Sequence, residues 1–331
     1  MKRIGILGAG AWGTALAKAL SREGREIILW GRDPELVKAI NYTHENVIYL
    51  SKVGLPTSIH ATTDLNDLLD VEALLLVAPA QKTREILEKF AAQLPSWIPL
   101  IICSKGIENE SGQLLSDVVQ ETVDGNPIAI LSGPNFAHEI VLGLPAATTI
   151  ATKDRDLGFL LVESFGSPTF RPYYSSDPVG VQIGGALKNV YAIASGVTSG
   201  KNLGQNASAA LITRCLAEMA RLGQRLGADY QTFLGLSGVG DLMLTCSSER
   251  SRNMRFGIEL GQGKSPNEII SGTRSVFEGY HTAFSIKKLA KNADVDMPVA
   301  EGVYRILYED ANIDTTIKNL LSRPFSEETR F

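Results

Sequence analysis

Histidine, cysteine and long apolar runs are all scarce in this chain of 331 residues. The four histidines, His44, His60, His138 and His281, show no H-x-x-x-H or similar spacing. That excludes the usual patterns of a catalytic zinc site, and no metal is expected. Three cysteines, Cys103, Cys215 and Cys246, are far apart and odd in number. They fit reduced thiols in the cytoplasm and not a disulfide framework. No apolar run reaches the roughly 18 residues that a membrane span needs, so an integral membrane protein is not expected. The N-terminus reads directly as a strand, which leaves no room for a signal peptide. Basic residues are not in excess: 32 Lys and Arg stand against 36 Asp and Glu, for a formal charge of −4. Nucleic acid is therefore not the expected partner. Internal repeats and low-complexity segments are also missing.

What is present starts at once. Ile4, Ile6 and Leu7 form a short apolar run of strand type, followed by Gly8-Ala9-Gly10-Ala11-Trp12-Gly13 and an alanine-rich helical pattern over 15–20. Strand, G-x-G-x-x-G and helix in that order suit a dinucleotide pyrophosphate: the glycines permit a tight turn and close backbone approach, and the helix N-terminus supplies N–H groups. A second strand follows at 26–30, ending in Gly31-Arg32-Asp33-Pro34. Gly31 takes the place where an acid commonly reads the ribose 2′-OH, and Arg32 comes next, suited to stacking on adenine or pairing with a 2′-phosphate. NADP(H) is favoured on this ground and NAD(H) stays open. Asp33 before Pro34 also reads as an ordinary helix N-cap.

Further strand patterns fall at 73–77, 100–103, 128–131 and 147–151, with helical patterns at 12–21, 34–40, 81–93, 112–122 and 155–165. This alternation predicts an α/β fold, an N-terminal Rossmann-like doubly wound, mostly parallel sheet over 1–180. After Pro178 the patterns are helical, at 181–194, 207–226, 241–244, 254–259, 276–292, 297–308 and 315–320, and predict an all-α C-terminal domain over 181–331. The tail 322–331 is polar and expected to be loosely held.

Five clusters carry candidate chemistry. Cys103-Ser104-Lys105-Gly106 ends a predicted strand, where ligands bind in open α/β sheets, although Lys105 also reads as a solvated loop lysine. Ser132-Gly133-Pro134-Asn135-Phe136-Ala137 follows another strand, and Asn135 suits an N-cap for a helix opening at Phe136. In Gly184-Gly185-Ala186-Leu187-Lys188-Asn189-Val190-Tyr191-Ala192, small and apolar residues surround Lys188. Desolvation there lowers a lysine pKa toward a working acid/base value, unless the side chain snorkels to water. Asp241 in Gly238-Val239-Gly240-Asp241-Leu242 can balance Lys188 or cap the helix that follows. Ser251-Arg252-Asn253 places an N-cap serine and an arginine at a helix start, an arrangement that suits a phosphate better than an unliganded helix end.

Together these clusters resemble the bacterial-type NAD(P)-dependent glycerol-3-phosphate dehydrogenases over nearly the whole chain. The resemblance rests on GAGAWGTALA at Gly8, SKG at Ser104, SGPNFA at Ser132, ALKNVYAIASG at Ala186, GVGDL at Gly238 and SRN at Ser251. It implies reversible reduction of dihydroxyacetone phosphate to sn-glycerol 3-phosphate, which supplies the backbone of glycerophospholipids. It makes Lys188 the proton acceptor and donor, with Lys105 and Asp241 in the catalytic group. It places Lys105, Gly133, Asn135, Lys188, Asp241, Ser251, Arg252 and Asn253 at the substrate. The cofactor positions it implies are Gly8, Gly10, Ala11, Trp12, Gly13, Arg32, Lys105, Ala137, Arg252, Val276 and Glu278. A homodimer fits the resemblance. Two departures stand out: Asn135 replaces the family's hydroxyl residue in SGPSFA or SGPTFA, and Tyr49-Leu50-Ser51-Lys52 replaces Y-L-P-G. A dehydrogenase of another hydroxy acid needs a carboxylate site in place of SRN, and a redox sensor without turnover has no use for an acid/base lysine.

Overall fold

The computed structural model describes residues 1–273, 276–325 and 327; positions 326 and 328–331 of the polar tail lie outside the described residues. The chain folds into two compact units, Met1–Ser104 with Leu115–Pro178, and Lys105–Leu114 with Val179–Phe331. Among the described residues, no helix is long and apolar enough to cross a membrane.

The first unit is built on strands β1 (Arg3–Leu7), β2 (Glu26–Trp30), β5 (Ile59–Thr62), β6 (Ala73–Leu76), β7 (Leu100–Ile102), β8 (Ile128–Ser132), β9 (Ala146–Ala151) and β10 (Phe170–Ser175). A separate two-stranded ribbon pairs β3 (Glu45–Asn46) with β4 (Leu50–Gly54). The helices are α1 (Ala11–Leu20), α2 (Pro34–Thr43), α3 (Thr83–Glu88), α4 (Leu115–Thr122), α5 (Ala137–Val141) and α6 (Arg155–Phe165). The sheet order is β10-β9-β8-β7-β6-β1-β2-β5, parallel except where β9 runs against β8. The chain runs from β1 outward to β2 and β5, then returns to β6 on the other side of β1. The direction of winding thus reverses between β1 and β6, the point at which open α/β sheets bind ligands at the carboxyl ends of their strands. Central strands such as Ala73–Leu76 are buried throughout, as covering both faces of a parallel sheet requires.

Several local expectations change. The helix expected at 81–93 is only α3, flanked by single 3-10 turns at Ala80–Lys82 and Ala91–Gln93. The helix expected from 112 starts at Leu115, because Gly112 takes a positive φ of 76°. Strands β5 and β10, absent from the sequence pattern, lie at the two edges of the sheet. Pro172 is tolerated in β10 because an edge strand can spare an N–H.

The second unit is helical: α7 (Pro178–Gly200), α8 (Gln205–Arg225), α9 (Asp241–Cys246), α10 (Arg252–Gly261), α11 (Pro266–Ser271), α12 (Glu278–Ala293), α13 (Pro298–Tyr308) and α14 (Ile313–Leu321). Helix α7 is buried along most of its length and forms the centre of the core with Met219, Phe233 and Phe256. It crosses α10 at glycines on both helices. A Cβ on Gly196 falls 2.1 Å from the Met254 carbonyl oxygen, and one on Gly257 falls 2.0 Å from that of Ile193. The segment Lys105–Leu114 packs into this unit. Its Ile107 carbonyl accepts from Ser285 Oγ at 3.1 Å, and its Glu110 carbonyl from Lys288 Nζ at 3.0 Å. A division at residue 180 carries no sign of that excursion.

Candidate active site

In the first unit the three glycines of the loop have separate physical duties. Gly8 takes φ +133°, and a Cβ there meets the Val77 carbonyl carbon at 2.9 Å. A Cβ on Gly13 falls 1.8 Å from the Gly8 carbonyl oxygen, so glycine lets α1 start hard against the loop. Around Gly10 nothing lies within 4 Å of an added Cβ, which leaves room for a phosphate to approach the backbone. Gly10 is the N-cap of α1 and brings no side-chain acceptor, so the first N–H groups of the helix, at Ala11 and Trp12, are not used up by a cap. The buried indole Nε1 of Trp12 has no hydrogen-bond partner in the protein. The loop therefore fits a dinucleotide on its own geometry.

The end of β2 explains the missing acid: a Cβ on Gly31 comes within 2.9 Å of Ala9 Cβ, so the loop and a side chain compete for one space. Arg32 is exposed. Asp33 caps α2, accepting from Glu35 N at 3.0 Å with Pro34 in the first turn. After β8, Gly133 holds φ +156° against Thr148 Cα, which a Cβ would approach to 2.9 Å. The expected cap by Asn135 is not what forms. Phe136 holds the cap position of α5, and Asn135 Nδ2 instead donates to the Ala147 carbonyl at 3.3 Å. The reason is the antiparallel return of β9, which brings that carbonyl beside the turn. Asn135 Oδ1 is buried without a protein partner, and Ala137 opens α5.

The second unit gathers Lys105, Lys188 and Asp241 around one carboxylate. Asp241 is fully buried; Lys188 Nζ donates to its Oδ1, and Lys105 Nζ donates to its Oδ2 at 2.7 Å. Lys188 is itself only 7% exposed, so it does not snorkel. Burial lowers its pKa from the ordinary 10.5 to about 8; Asp241 opposes the shift and Lys105 adds to it. Gly240, not Asp241, holds the cap position of α9, so the aspartate is free of a capping duty. Thr245 Oγ1 donates to the Asp241 backbone carbonyl at 2.6 Å and lies 3.4 Å from Oδ1.

A rail of amides runs beside this group. Gly279 N donates to Asn253 Oδ1 at 3.1 Å, Asn253 Nδ2 to Asn189 Oδ1 at 3.0 Å, and Asn189 Nδ2 to the Lys105 carbonyl at 3.4 Å. Asn253 thus ties α10 to α7 and to the start of α12. Ser251 caps α10 as expected, accepting from Met254 N at 3.2 Å, and Arg252 begins the helix. Glu278 lies within electrostatic reach of Arg252, and Val276 precedes α12 with its side chain exposed. Asn189 and Thr245 were not singled out by sequence; the only signal was a polar residue next to Lys188 in a helix otherwise small and apolar.

A doubly wound sheet with this glycine loop, and a helical unit that buries an amine–carboxylate–amine group, define a dinucleotide-dependent dehydrogenase. Residues 3–158 match the family model described as the N-terminus of NAD-dependent glycerol-3-phosphate dehydrogenase, and residues 177–318 match the C-terminus. The chain belongs to the NAD-dependent glycerol-3-phosphate dehydrogenase family. It is 46% identical over 328 residues to glycerol-3-phosphate dehydrogenase [NAD(P)+] of Parvibaculum lavamentivorans, covering 99% of this chain and 98% of that one. It is 47% identical over 327 residues to the Caulobacter vibrioides protein of the same name, covering 99% of each. The crystal structure of glycerol-3-phosphate dehydrogenase from Coxiella burnetii superposes with a TM-score of 0.93 at 36% identity, over 97% of this chain and 99% of that one.

Proposed function

We propose that the protein interconverts dihydroxyacetone phosphate and sn-glycerol 3-phosphate, with Lys188 as the group that gives and takes the proton. The observation that carries this is the buried Lys188 on Asp241, its pKa brought to about 8 by desolvation. Near neutral pH such an amine holds a proton and can release it, which a solvated lysine does poorly. In reduction, protonated Lys188 donates to the oxygen that gains charge as the ketone becomes an alcohol. In oxidation, neutral Lys188 takes the hydroxyl proton. Asp241 fixes the direction of the amine and offsets part of its burial, while Lys105 adds positive charge beside the same oxygen.

Ser251, Arg252 and Asn253 are the proposed phosphate end, where the start of α10 offers N–H groups and a guanidinium. Binding the phosphate away from the reacting carbon spends affinity on orientation. Gly133 and Asn135 are proposed substrate contacts. Gly8, Gly10, Ala11, Trp12 and Gly13 hold the dinucleotide in this reading, with Arg32, Ala137, Lys105, Arg252, Val276 and Glu278 as its further contacts. When bound, the nicotinamide supplies the hydride.

NADP(H) is the proposed preference, because Arg32 stands exposed where Gly31 admits no acid. The domain over 1–180 is proposed as the cofactor domain and 181–331 as the substrate domain, with Lys105 contributed to the latter. Cytoplasmic residence is supported by three buried cysteines, none of them in a disulfide. A homodimer and a role in glycerophospholipid synthesis rest on the family resemblance, and light scattering on the purified protein tests the former. The function is tested by NADPH and NADH oxidation with dihydroxyacetone phosphate over a range of each cofactor. Turnover establishes the reaction, the ratio of kcat/KM values establishes the preference, and no turnover with either overturns the reading.

A further inference from the structure

Asn46 sits at the turn of the β3–β4 ribbon, far in sequence from the glycine loop, and has no exposed surface. Its Nδ2 donates to the Ala9 carbonyl at 3.0 Å and to Thr14 Oγ1 at 2.7 Å. Its Oδ1 accepts from Tyr49 N at 3.0 Å. A carbonyl can only accept and a backbone N–H can only donate, so these partners fix which way the amide faces. One side chain therefore grips the loop at both ends: at Ala9 before the helix, and at Thr14 one turn inside it.

The grip on Ala9 has a consequence for its neighbour. Among the described residues there is no cis peptide bond. In a planar trans peptide the C=O and the following N–H point in opposite directions. Holding the Ala9 oxygen inward, against Asn46, turns the Gly10 N–H outward. An added Cβ at Gly10 meets nothing within 4 Å, so open space adjoins the residue that carries this N–H. Without the amide, the peptide between Ala9 and Gly10 can turn as a unit about Ala9 ψ and Gly10 φ, and Gly10 is conformationally permissive.

We propose that Asn46 is a positioning residue for the cofactor: it orients the Ala9–Gly10 peptide and thereby sets affinity for the dinucleotide pyrophosphate without touching it. The inference rests on the reading of this loop as the dinucleotide site. It is tested by direct titration of NADPH and NADH into the full-length wild type, Asn46→Ala and Asn46→Asp, with melting temperatures of the free proteins and steady-state kinetics. Asp matches Asn in shape and can still accept from Tyr49, but cannot donate to Ala9. Both variants are expected to raise Kd for both cofactors by about tenfold or more, the effect of losing buried hydrogen bonds that orient a donor. The pyrophosphate is common to both cofactors, so the two Kd values rise together. At saturating cofactor, kcat and the KM for dihydroxyacetone phosphate stay within roughly threefold of wild type, because the proton-transfer group is untouched.

If Asn46→Asp binds as wild type does while Asn46→Ala does not, the ribbon anchor to Tyr49 is what counts, and the proposal is overturned. An effect confined to NADPH overturns it as well, because the action then lies at the 2′-phosphate. Should Asn46→Ala fail to fold, the isosteric Asp variant decides alone. A wild type that binds neither cofactor removes the site reading and this proposal together. Wild type and variants that bind equally well remove only the proposal.

Discussion

Lys105 and Lys188 donate to opposite oxygens of a single buried carboxylate, that of Asp241. Two positive groups thus share one negative partner in a place where water screens little. Removing the partner leaves both amines exposed to the full cost of burial, which is why the three residues are expected to behave as a unit under mutation. Lys188→Ala is expected to lower kcat by about 10²–10⁴, the usual contribution of a positioned acid/base, while Kd for the cofactor changes little. Single-turnover kinetics beside a cofactor titration check this. A variant that turns over at the wild-type rate removes Lys188 from the role.

The titration of Lys188 predicts opposite pH profiles for the two directions. Reduction needs the protonated amine and is expected to decline as pH rises through about 8; oxidation needs the neutral amine and is expected to rise over the same range. Lys105 pushes the Lys188 pKa down, so in Lys105→Met the midpoint should move to higher pH. Profiles of kcat in both directions, for wild type and variant, provide the measurement. A midpoint that moves down in the variant contradicts the assigned electrostatics.

Glu218 gives a prediction for stability. It lies buried on α8, where it accepts from Val299 N at 2.7 Å and Ala300 N at 3.3 Å at the start of α13, with Tyr191 Oη donating at 3.4 Å. Burial outweighs these bonds and nearby Arg221, and raises its pKa from 4.5 to about 7. A carboxyl with a raised folded pKa adds stability below its unfolded pKa, and that stability is lost as pH rises through the folded value. Between pH 4.5 and 7 the loss amounts to roughly 3 kcal/mol at most. Glu218→Gln removes the titration, so its Tm should depend less on pH across this window. Equal slopes for the two proteins count against it.

The crossing of α7 and α10 predicts a severe response to one methyl group. In Gly257→Ala the new Cβ meets backbone at 2.0 Å, and backbone cannot turn aside as a side chain does. Overpacking of this kind costs about 1–3 kcal/mol, partly offset by the better helix propensity of alanine, worth about 1 kcal/mol. A lower denaturation midpoint is expected, together with a higher KM for the phosphorylated substrate, since α7 carries Lys188 and α10 carries Arg252. Unchanged values for both refute the tight crossing.

Lys52 answers the departure from the family's Y-L-P-G. It occupies the glycine position and takes a left-handed φ of 64° within β4, a conformation that costs a non-glycine residue energy. Lys52→Gly should gain up to about 1 kcal/mol, the cost of a non-glycine residue in that region. Urea denaturation reads the difference, and a destabilised variant shows that the lysine side chain compensates.

How much was legible in advance divides along physical lines. The glycine loop, the buried lysine and the cap at Ser251 are local patterns, set by neighbours within a turn or a strand, and sequence displays them. Strands β5 and β10 are edge strands that carry polar or proline residues, so neither shows the apolar run that marks β1 and β6. Asn46, Asn189 and Asn253 act through partners 37, 84 and 64 residues away. An amide in a sequence gives no hint of such partners. The cap assigned to Asn135 failed for the same reason: the carbonyl of Ala147 is brought to it by tertiary folding.

The excursion of Lys105–Leu114 bears on how such proteins can be recombined. The helical unit is not a contiguous stretch of gene: a fragment starting at Val179 leaves one of its two amines behind. A chimera of two relatives joined at residue 180 mixes the Lys105 segment of one parent with the Asp241 and Ser285 surfaces of the other. Exchanging 105–114 together with 179–331 keeps each parental set of contacts whole, and these hybrids with three junctions should be the ones that stay active.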